Sequence, residues 1–361
     1  MEDFPNKLKL ARLASGLTQA EVAARLGVTK QAYGKYERGL VAPNSSRLLH
    51  FSKLLGKDVS FFLAPQRVDV DSFSFRKRSA LTGKRLHSVR AEVVDKVERA
   101  LALEEALGLD QQLDRKVLKQ SSARLREAGE AVDGAARKLR EEWDIGTDPI
   151  PSLRDLLREK GARVIELELD ADFDGLSSVI GDTVSLIVIN KHGHRDEVRQ
   201  RFTLAHELGH LLLDVDEDIS EATAEKICHR FASAFLLPPD SLRTELGGRR
   251  SAISLTELKA FRCKWGISGA AVVYAAQKAN LIPESFAKRY WQLRRRDEDV
   301  KLERGWGGYP AERCGTNYLE VLGARAIQQD VMSTSRVASL LQRSISEVRQ
   351  LAQDPTLVHA N

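Results

Sequence analysis

Residues 201–213 read RFTLAHELGHLLL. Leu204, Ala205, Leu208, Leu211 and Leu212 fall at the spacing of a helix that is buried over most of its surface. Set into this apolar run are His206, Glu207 and His210. On a helix, positions i and i+4 share a face, so both imidazoles can grip one metal ion while Glu207 stands beside its open position. Two histidines and a carboxylate in an apolar helix would be costly without a partner. The segment therefore reads as part of a Zn²⁺ site. There Glu207 can take a proton from a bound water and later hand it to a leaving amine.

Zinc needs a third protein ligand, and two stretches downstream offer one. Asp216 stands where a metzincin-like pattern would place it, but Leu213 occupies the position of the glycine that bends the chain there. Asp214, Asp216, Glu217, Asp218 and Glu221 read more simply as a solvated acidic loop and helix start. Glu225 lies on the next helix, EATAEKICHRFASAFLLP (221–238), which can return antiparallel to the first. His229 follows one turn later as a further candidate. Gly209 would let the two helices approach closely, and Cys228 reads as packing. His192 and His194, in a polar turn before the histidine helix, read as surface residues; the alternative is that one lines the cleft and steadies an oxyanion.

Around this pair the chain alternates helices and β-rich runs. Helices are expected at 135–143 and 152–161, the second with Ser152 as N-cap and Gly161 just past its end. ARVIELEL (162–169), SSVIG (177–181) and VSLIVIN (184–190) read as strands of a covered sheet. Helices at 194–213, 219–236, 254–261 and 268–279 follow. RRRDEDVKLERGWGGYP reads as a loop, and TSRVASLLQRSISEVRQLA (334–352) as a short helical pair. No segment of 20–50 residues repeats.

The first 65 residues are different in kind. Thr18-Gln19-Ala20-Glu21 forms a capping box. Val22, Ala23 and Leu26 give the helix behind it an apolar face. Gly27 ends that helix, and Thr29 caps the next after a tight turn. This is helix–turn–helix, in which the second helix enters the major groove of DNA. Thr29, Lys30, Gln31, Gly34 and Lys35 are expected to face outward, with Tyr33 also a DNA-contact candidate. Gln31 can read adenine, and a lysine can reach guanine or phosphate. Gln19 is placed to hold a phosphate.

Charge agrees with this division: residues 1–100 carry 19 basic and 10 acidic side chains, and the rest of the chain is net −4. A basic front end suits a polyanion. RKRSALTGKR (Arg76–Arg85) reads either as a stretch that adds phosphate contacts or single-strand affinity, or as a solvated loop. The leucines behind it (Leu101, Leu103, Leu107, Leu109) read as ordinary core rather than a zipper. Cys228, Cys263 and Cys314 are odd in number, far apart and form no CxxC, so neither a disulfide framework nor a cysteine zinc knuckle is supported, which fits a reducing cytoplasm. The N-terminus has no apolar core of a signal peptide, and no run of about 18 apolar residues predicts a membrane span.

LTQAEVAARLGVTKQAYGKYERG (17–39) resembles the Xre/Cro-type helix-turn-helix family. INKHGHRDEVRQRFTLAHELGHLLL followed by EKICHRFASAFLLPP resembles the ImmA/IrrE family of gluzincin-type zinc metallopeptidases, over roughly residues 130–285. That second resemblance implies that the third ligand is the glutamate opening an E-x-x-A-x-x-F-A pattern. The pattern falls on Glu225, with Phe231 and Ala232 in register and Cys228 in place of the usual Ala.

The expected fold is α+β and mostly helical. A five-helix Xre-type domain (1–65) and a basic helical linker (66–128) precede a metallopeptidase domain with a small sheet (129–285) and a helical C-terminal extension (286–361). The expected ligands are His206, His210 and Glu225 for Zn²⁺, with Glu207 catalytic. The resemblance further implies a cytoplasmic transcription regulator whose endopeptidase cleaves a repressor-like protein after a stress or mobile-element signal, single-stranded DNA being one such signal. The expected partners are a duplex operator, that protein substrate and a second copy of the chain. The alternative is an antitoxin- or phage-type regulator whose peptidase fold senses a ligand without proteolysis.

Overall fold

The computed structural model describes all residues except 1–2, 69–82, 119–123, 169–173, 182, 192–195, 310–316 and 354–361. It divides into two compact units, one of residues 1–111, 180–183 and 316–361, the other of residues 112–179 and 184–315. Arg76–Arg78, His192, His194 and Cys314 lie outside the described residues. Among those described, no helix is long and apolar enough to cross a membrane.

The first unit opens with α1 (Phe4–Ala14), α2 (Gln19–Arg25), α3 (Lys30–Glu37), α4 (Ser45–Leu55) and α5 (Val59–Leu63). Local chemistry starts and stops these helices. The Thr18 hydroxyl accepts from the Glu21 amide while Glu21 reaches back to the Thr18 amide, Thr29 caps α3 through the Ala32 amide, and Asn44 caps α4 through the Arg47 amide. Gly27 takes φ +65° in the turn, a conformation costly for residues with a Cβ. Phe4, Leu8, Val22, Tyr33, Phe51 and Phe62 close the core.

One acid organises that core from inside. Glu37 accepts from Arg12 Nε at 2.6 Å and Nη2 at 3.1 Å, from Gln19 Nε2 at 2.7 Å and from the Tyr33 hydroxyl at 2.9 Å. Burial and the Glu37 carboxylate push the Tyr33 phenol far above its ordinary range, so it stays a neutral donor.

Behind this bundle runs α6 (Gly83–Ala106). Val89, Val93, Val94, Val97 and Leu103 are buried along it. It packs against α1, where Lys7 and Glu98 form a buried ion pair, and Glu98 also accepts from the Arg67 and Val68 amides.

The second unit contains α7 (Glu130–Glu142), α8 (Leu153–Glu159), β1 (Arg163–Leu167), β2 (Gly175–Ile180), β3 (Val184–Asn190), α9 (Glu197–Leu212) and α10 (Glu221–Leu236). Then come α11 (Pro239–Leu246), α12 (Leu255–Trp265), α13 (Gly269–Lys278), α14 (Glu284–Arg296) and α15 (Glu298–Leu302). The sheet order is β1-β3-β2, with β1 parallel to β3 and Ile165 opposite Val188. The three residues between β2 and β3 suffice only for an antiparallel neighbour. The middle strand β3 is almost wholly buried and packs under α9, as its unbroken apolar run requires.

Of the expected loop at 294–310, residues 294–302 are instead largely helical, while 303–309 are irregular as expected. Asp297 ends α14, and its side chain accepts from the Asp299 and Val300 amides, which starts α15 at once. The charged composition there reflects short exposed helices, not irregular chain. The remaining described segment returns to the first unit as α16 (Tyr318–Gln328), α17 (Thr334–Leu341) and α18 (Ile345–Leu351). They share a small core with Ala102 and Leu103 of α6, so Leu103 is core, as its spacing suggested.

Two consequences are measurable. Glu37→Ala leaves Arg12 and Tyr33 buried without their acceptor, and should cost about 3–5 kcal/mol. Native-state hydrogen exchange of α1–α4 amides in the full chain should show it, against about 1 kcal/mol for Thr18→Ala. Gly175, at the start of β2, has no room for a side chain: a Cβ would lie 2.5 Å from Thr203 Cγ2, 3.0 Å from the Val188 carbonyl and 3.4 Å from Glu207 Cγ. Gly175→Ala should lower stability by about 1–3 kcal/mol. Adding Thr203→Ser, which removes the nearest atom, should restore part of it in thermal melts; an unaffected single variant would disprove the close approach.

Candidate metal centre and DNA-reading face

The histidine helix α9 begins at Asp196, whose side chain caps the Arg199 amide, and carries His206 and His210 on one side. α10 is capped by Ser220 and packs antiparallel along α9. Contact is close at Gly209, where a Cβ would meet Phe231 Cδ1 at 3.1 Å and Cys228 Cα at 3.5 Å. Arg230 locks the other side of α10 to α7 with a bidentate pair to Asp133 and a bond to the Ala128 carbonyl.

This packing brings Glu225 to the two histidines. Glu225 Oε2 lies 3.1 Å from His206 Nε2, and Oε1 lies 3.3 Å from His210 Nε2. The two Nε2 atoms are 3.1 Å apart. A tetrahedral ion with ligands at 2.0–2.1 Å separates them by about 3.3 Å, so the triangle has the size of one face of such a site. Among the described residues this trio is the grouping of His, Cys, Asp and Glu donors that could hold a metal. Burial works against ionisation of Glu225, but hydrogen bonds and charge from His206 and His210 outweigh it and hold the carboxyl far below its usual range. The Glu225 side chain is 31% exposed, so the cluster has access to solvent. His206 Nδ1 is buried without a hydrogen-bond partner, which concentrates the polar contacts of that ring at Nε2.

Asp216 is elsewhere. One of its oxygens pairs with Arg126 at 2.7 Å and the other accepts from the Asp218 amide at 3.0 Å. The neighbouring Val215 bridges to Leu125, and Asp214 and Glu217 face Arg124. The acidic loop is thus tied to residues 124–126.

The His229 ring lies against that of His206, tilted by 50° with centroids 4.4 Å apart. Its Nδ1 lies 2.7 Å from the Glu225 carbonyl and must donate there. Burial, then the nearby His206 charge, lowers its pKa, so the neutral ring presents Nε2 as an acceptor.

Of two further neighbours, Ser177 escapes sequence reasoning and Cys228 reads there only as packing. Ser177 of β2 donates its hydroxyl to Glu207 Oε2 at 2.8 Å. A serine in an edge strand, about 30 positions upstream of Glu207, carries no periodic or spacing signal. Cys228 Sγ lies 3.2 Å from His210 Nδ1, so it does more than fill space. It sits where a buried imidazole finds its outer partner, a place usually held by a carboxylate or carbonyl. Its position one turn after Glu225 was the available signal.

On the N-terminal bundle, Thr29, Lys30, Gln31 and Lys35 are exposed along α3. Tyr33 is not a contact residue: it is fully buried and its hydroxyl is spent on Glu37. Gly34 is buried too, because α3 turns that side toward α2. Gln19 is half-buried with its amide nitrogen held by Glu37, so it stands at the edge of the face rather than on it.

Comparison with known proteins agrees with both halves. A helix-turn-helix family model matches residues 8–62, and an IrrE N-terminal-like domain model matches residues 158–277. Over 68 residues, 19% of this chain and 63% of the relative, the sequence is 37% identical to a Bacillus subtilis protein described as an SPbeta prophage-derived uncharacterized HTH-type transcriptional regulator, YonR. Uncharacterized HTH-type transcriptional regulators of Sinorhizobium medicae and Rhizobium meliloti are each 37% identical over 57 residues, 16% of this chain and 41% of the relative. The chain thus spans less than two thirds of the length of these curated relatives. No solved structure matches it significantly. The chain couples an Xre-type helix-turn-helix domain to a domain of the IrrE/ImmA-like peptidase family.

Proposed function

We propose that the chain is a cytoplasmic DNA-binding transcription regulator that carries its own zinc-dependent endopeptidase, directed at a repressor-like protein. The observation that carries this reading is the convergence of His206, His210 and Glu225, two of them on the helix that also carries Glu207. His206, His210 and Glu225 would hold the ion. When bound, zinc supplies a Lewis acid that polarises the scissile carbonyl and acidifies a water. Three protein ligands leave the fourth position for chemistry rather than closing the site.

The remaining work falls to side chains of the chain itself. Glu207 takes the proton of the attacking water and delivers it to the departing amine nitrogen. The Ser177 hydroxyl holds one oxygen of Glu207, which fixes the carboxylate for that exchange. β2, the edge strand carrying Ser177, can align an extended peptide alongside Glu207 by adding a strand. Such a substrate must be locally unfolded or looped, which suits an exposed segment of a repressor. At the other end, α3 would enter the major groove with Gln31 and Lys35 toward base edges and Thr29 and Lys30 toward phosphates.

Elemental analysis of the purified chain should find one zinc per chain. Glu207→Gln should keep the metal and abolish cleavage of a co-expressed repressor-type protein, because an amide cannot accept the proton. His206→Ala and Glu225→Ala should empty the site, whereas Asp216→Ala should leave it full. Zinc-loaded wild-type protein that never cuts, even with DNA present, would replace the protease reading with the sensor reading. For the DNA face, Gln31→Ala and Lys35→Ala should each weaken specific binding by about 1–3 kcal/mol while sparing bulk binding. Equal loss on specific and random duplexes would take base readout away from α3.

A further inference from the structure

The tail of the chain repeats the architecture of its front end. Residues 17–37 and 332–352 can be set side by side without a gap. Thr18 and Ser333 each cap a helix through a side-chain oxygen, accepting from the Glu21 and Arg336 amides. The buried pair Val22-Ala23 matches the buried pair Val337-Ala338. Leu26 matches Leu341, each packed against its own core. Gly27 and Gln342 both take the left-handed conformation, φ +65° and +55°. Thr29 and Ser344 then cap the second helix through the Ala32 and Glu347 amides. Buried Tyr33 matches buried Val348. The helix before each pair, α1 and α16, has 11 residues. Only Val22, Ala23 and Leu26 are identical to their counterparts. That is why inspection of the sequence finds no repeat.

We propose that α17 and α18 form a second helix-turn-helix and that α18 is a second contact with duplex DNA. Val348 is the one buried residue of α18; Ser346, Arg349 and Gln350 are exposed on it. Arg and Gln are the side chains that recognise guanine and adenine bidentately, and Gln350 occupies the register position of Lys35. The one acid of α18, Glu347, is engaged by the Ser344 amide and hydroxyl. The two motifs are also fixed on one scaffold within the same unit. α6 packs on α1 and on α16. Its Arg99 donates to the Leu340 carbonyl at 3.1 Å, and its Asp95 is shared by Lys57 at 2.8 Å and Gln342 at 3.4 Å. Ser60 and Ser339 hydroxyls lie 3.2 Å apart. Two heads held rigidly on one chain make the second contact intramolecular, which raises affinity without a larger first interface. The α18 contact does not depend on the α3 reading.

The test uses the full chain carrying a photo-crosslinking side chain at position 350 or, separately, at position 31, mixed with sheared genomic duplex. A DNA adduct at 350 supports the proposal, whether or not 31 also crosslinks; failure at 31 alone would sink the α3 reading and leave this one standing. No DNA adduct at 350, or an adduct to a second protein chain, overturns it. In parallel, Arg349→Ala with Gln350→Ala should weaken binding to the tightest selected fragment about tenfold or more. If Arg349 also meets a phosphate, the salt slope should flatten by about one unit. The melting temperature should not move, since both side chains are exposed. Unchanged affinity in the double variant would overturn the proposal.

Discussion

Three electron-pair donors pressed to within 3.3 Å of one another are the constraint around which the second unit is built. Such a grouping is stable only where charge or a cation answers it, and only where packing forces the donors together. Packing does so at Gly209, where α10 sits against the backbone of α9. α7 presses on the far side of α10 through the Arg230–Asp133 pair, and β3 supports α9 from beneath. The sheet, short as it is, has two tasks: β3 supplies an apolar floor, and β2 brings Ser177 to Glu207 through the space that Gly175 leaves.

The N-terminal bundle is organised by a different device with the same logic. Glu37 gathers Arg12, Gln19 and Tyr33 from three helices, so a charge buried at the end of α3 sets the crossing of α1, α2 and α3. Such a network is favourable only when every member is satisfied. One result is a division of labour along α3: Tyr33 and Gly34 face inward, and Lys30, Gln31 and Lys35 remain exposed. α6 extends the arrangement, tying the bundle to the C-terminal helices through Glu98, Asp95 and Arg99.

Local signals were legible wherever the physics is local. The capping box at Thr18, the turn at Gly27, the caps at Ser152 and Thr29 and the apolar strand β3 depend on neighbours within about one helical turn or one strand, and the sequence displays them directly. The charged stretch at 294–302 misled because composition cannot distinguish a solvated helix from a loop. Tyr33 misled because an amphipathic register gives its side of the helix but not the acid waiting there.

By itself the sequence determined that His206 and His210 share a helical face with Glu207 between them, that a helix–turn–helix precedes them, and that the chain is mostly helical with a small sheet. Each follows from spacing against a fixed helical or strand period. Tertiary structure alone decided how Glu225, Asp216 and Cys228 are disposed: Glu225 meets the histidines, Asp216 is bound to Arg126, and Cys228 backs His210. It alone brought Ser177 to Glu207 and matched the tail to the N-terminal motif. These outcomes depend on which helix faces meet and how closely, and close approach is set by the packing of many distant side chains rather than by any neighbour in sequence.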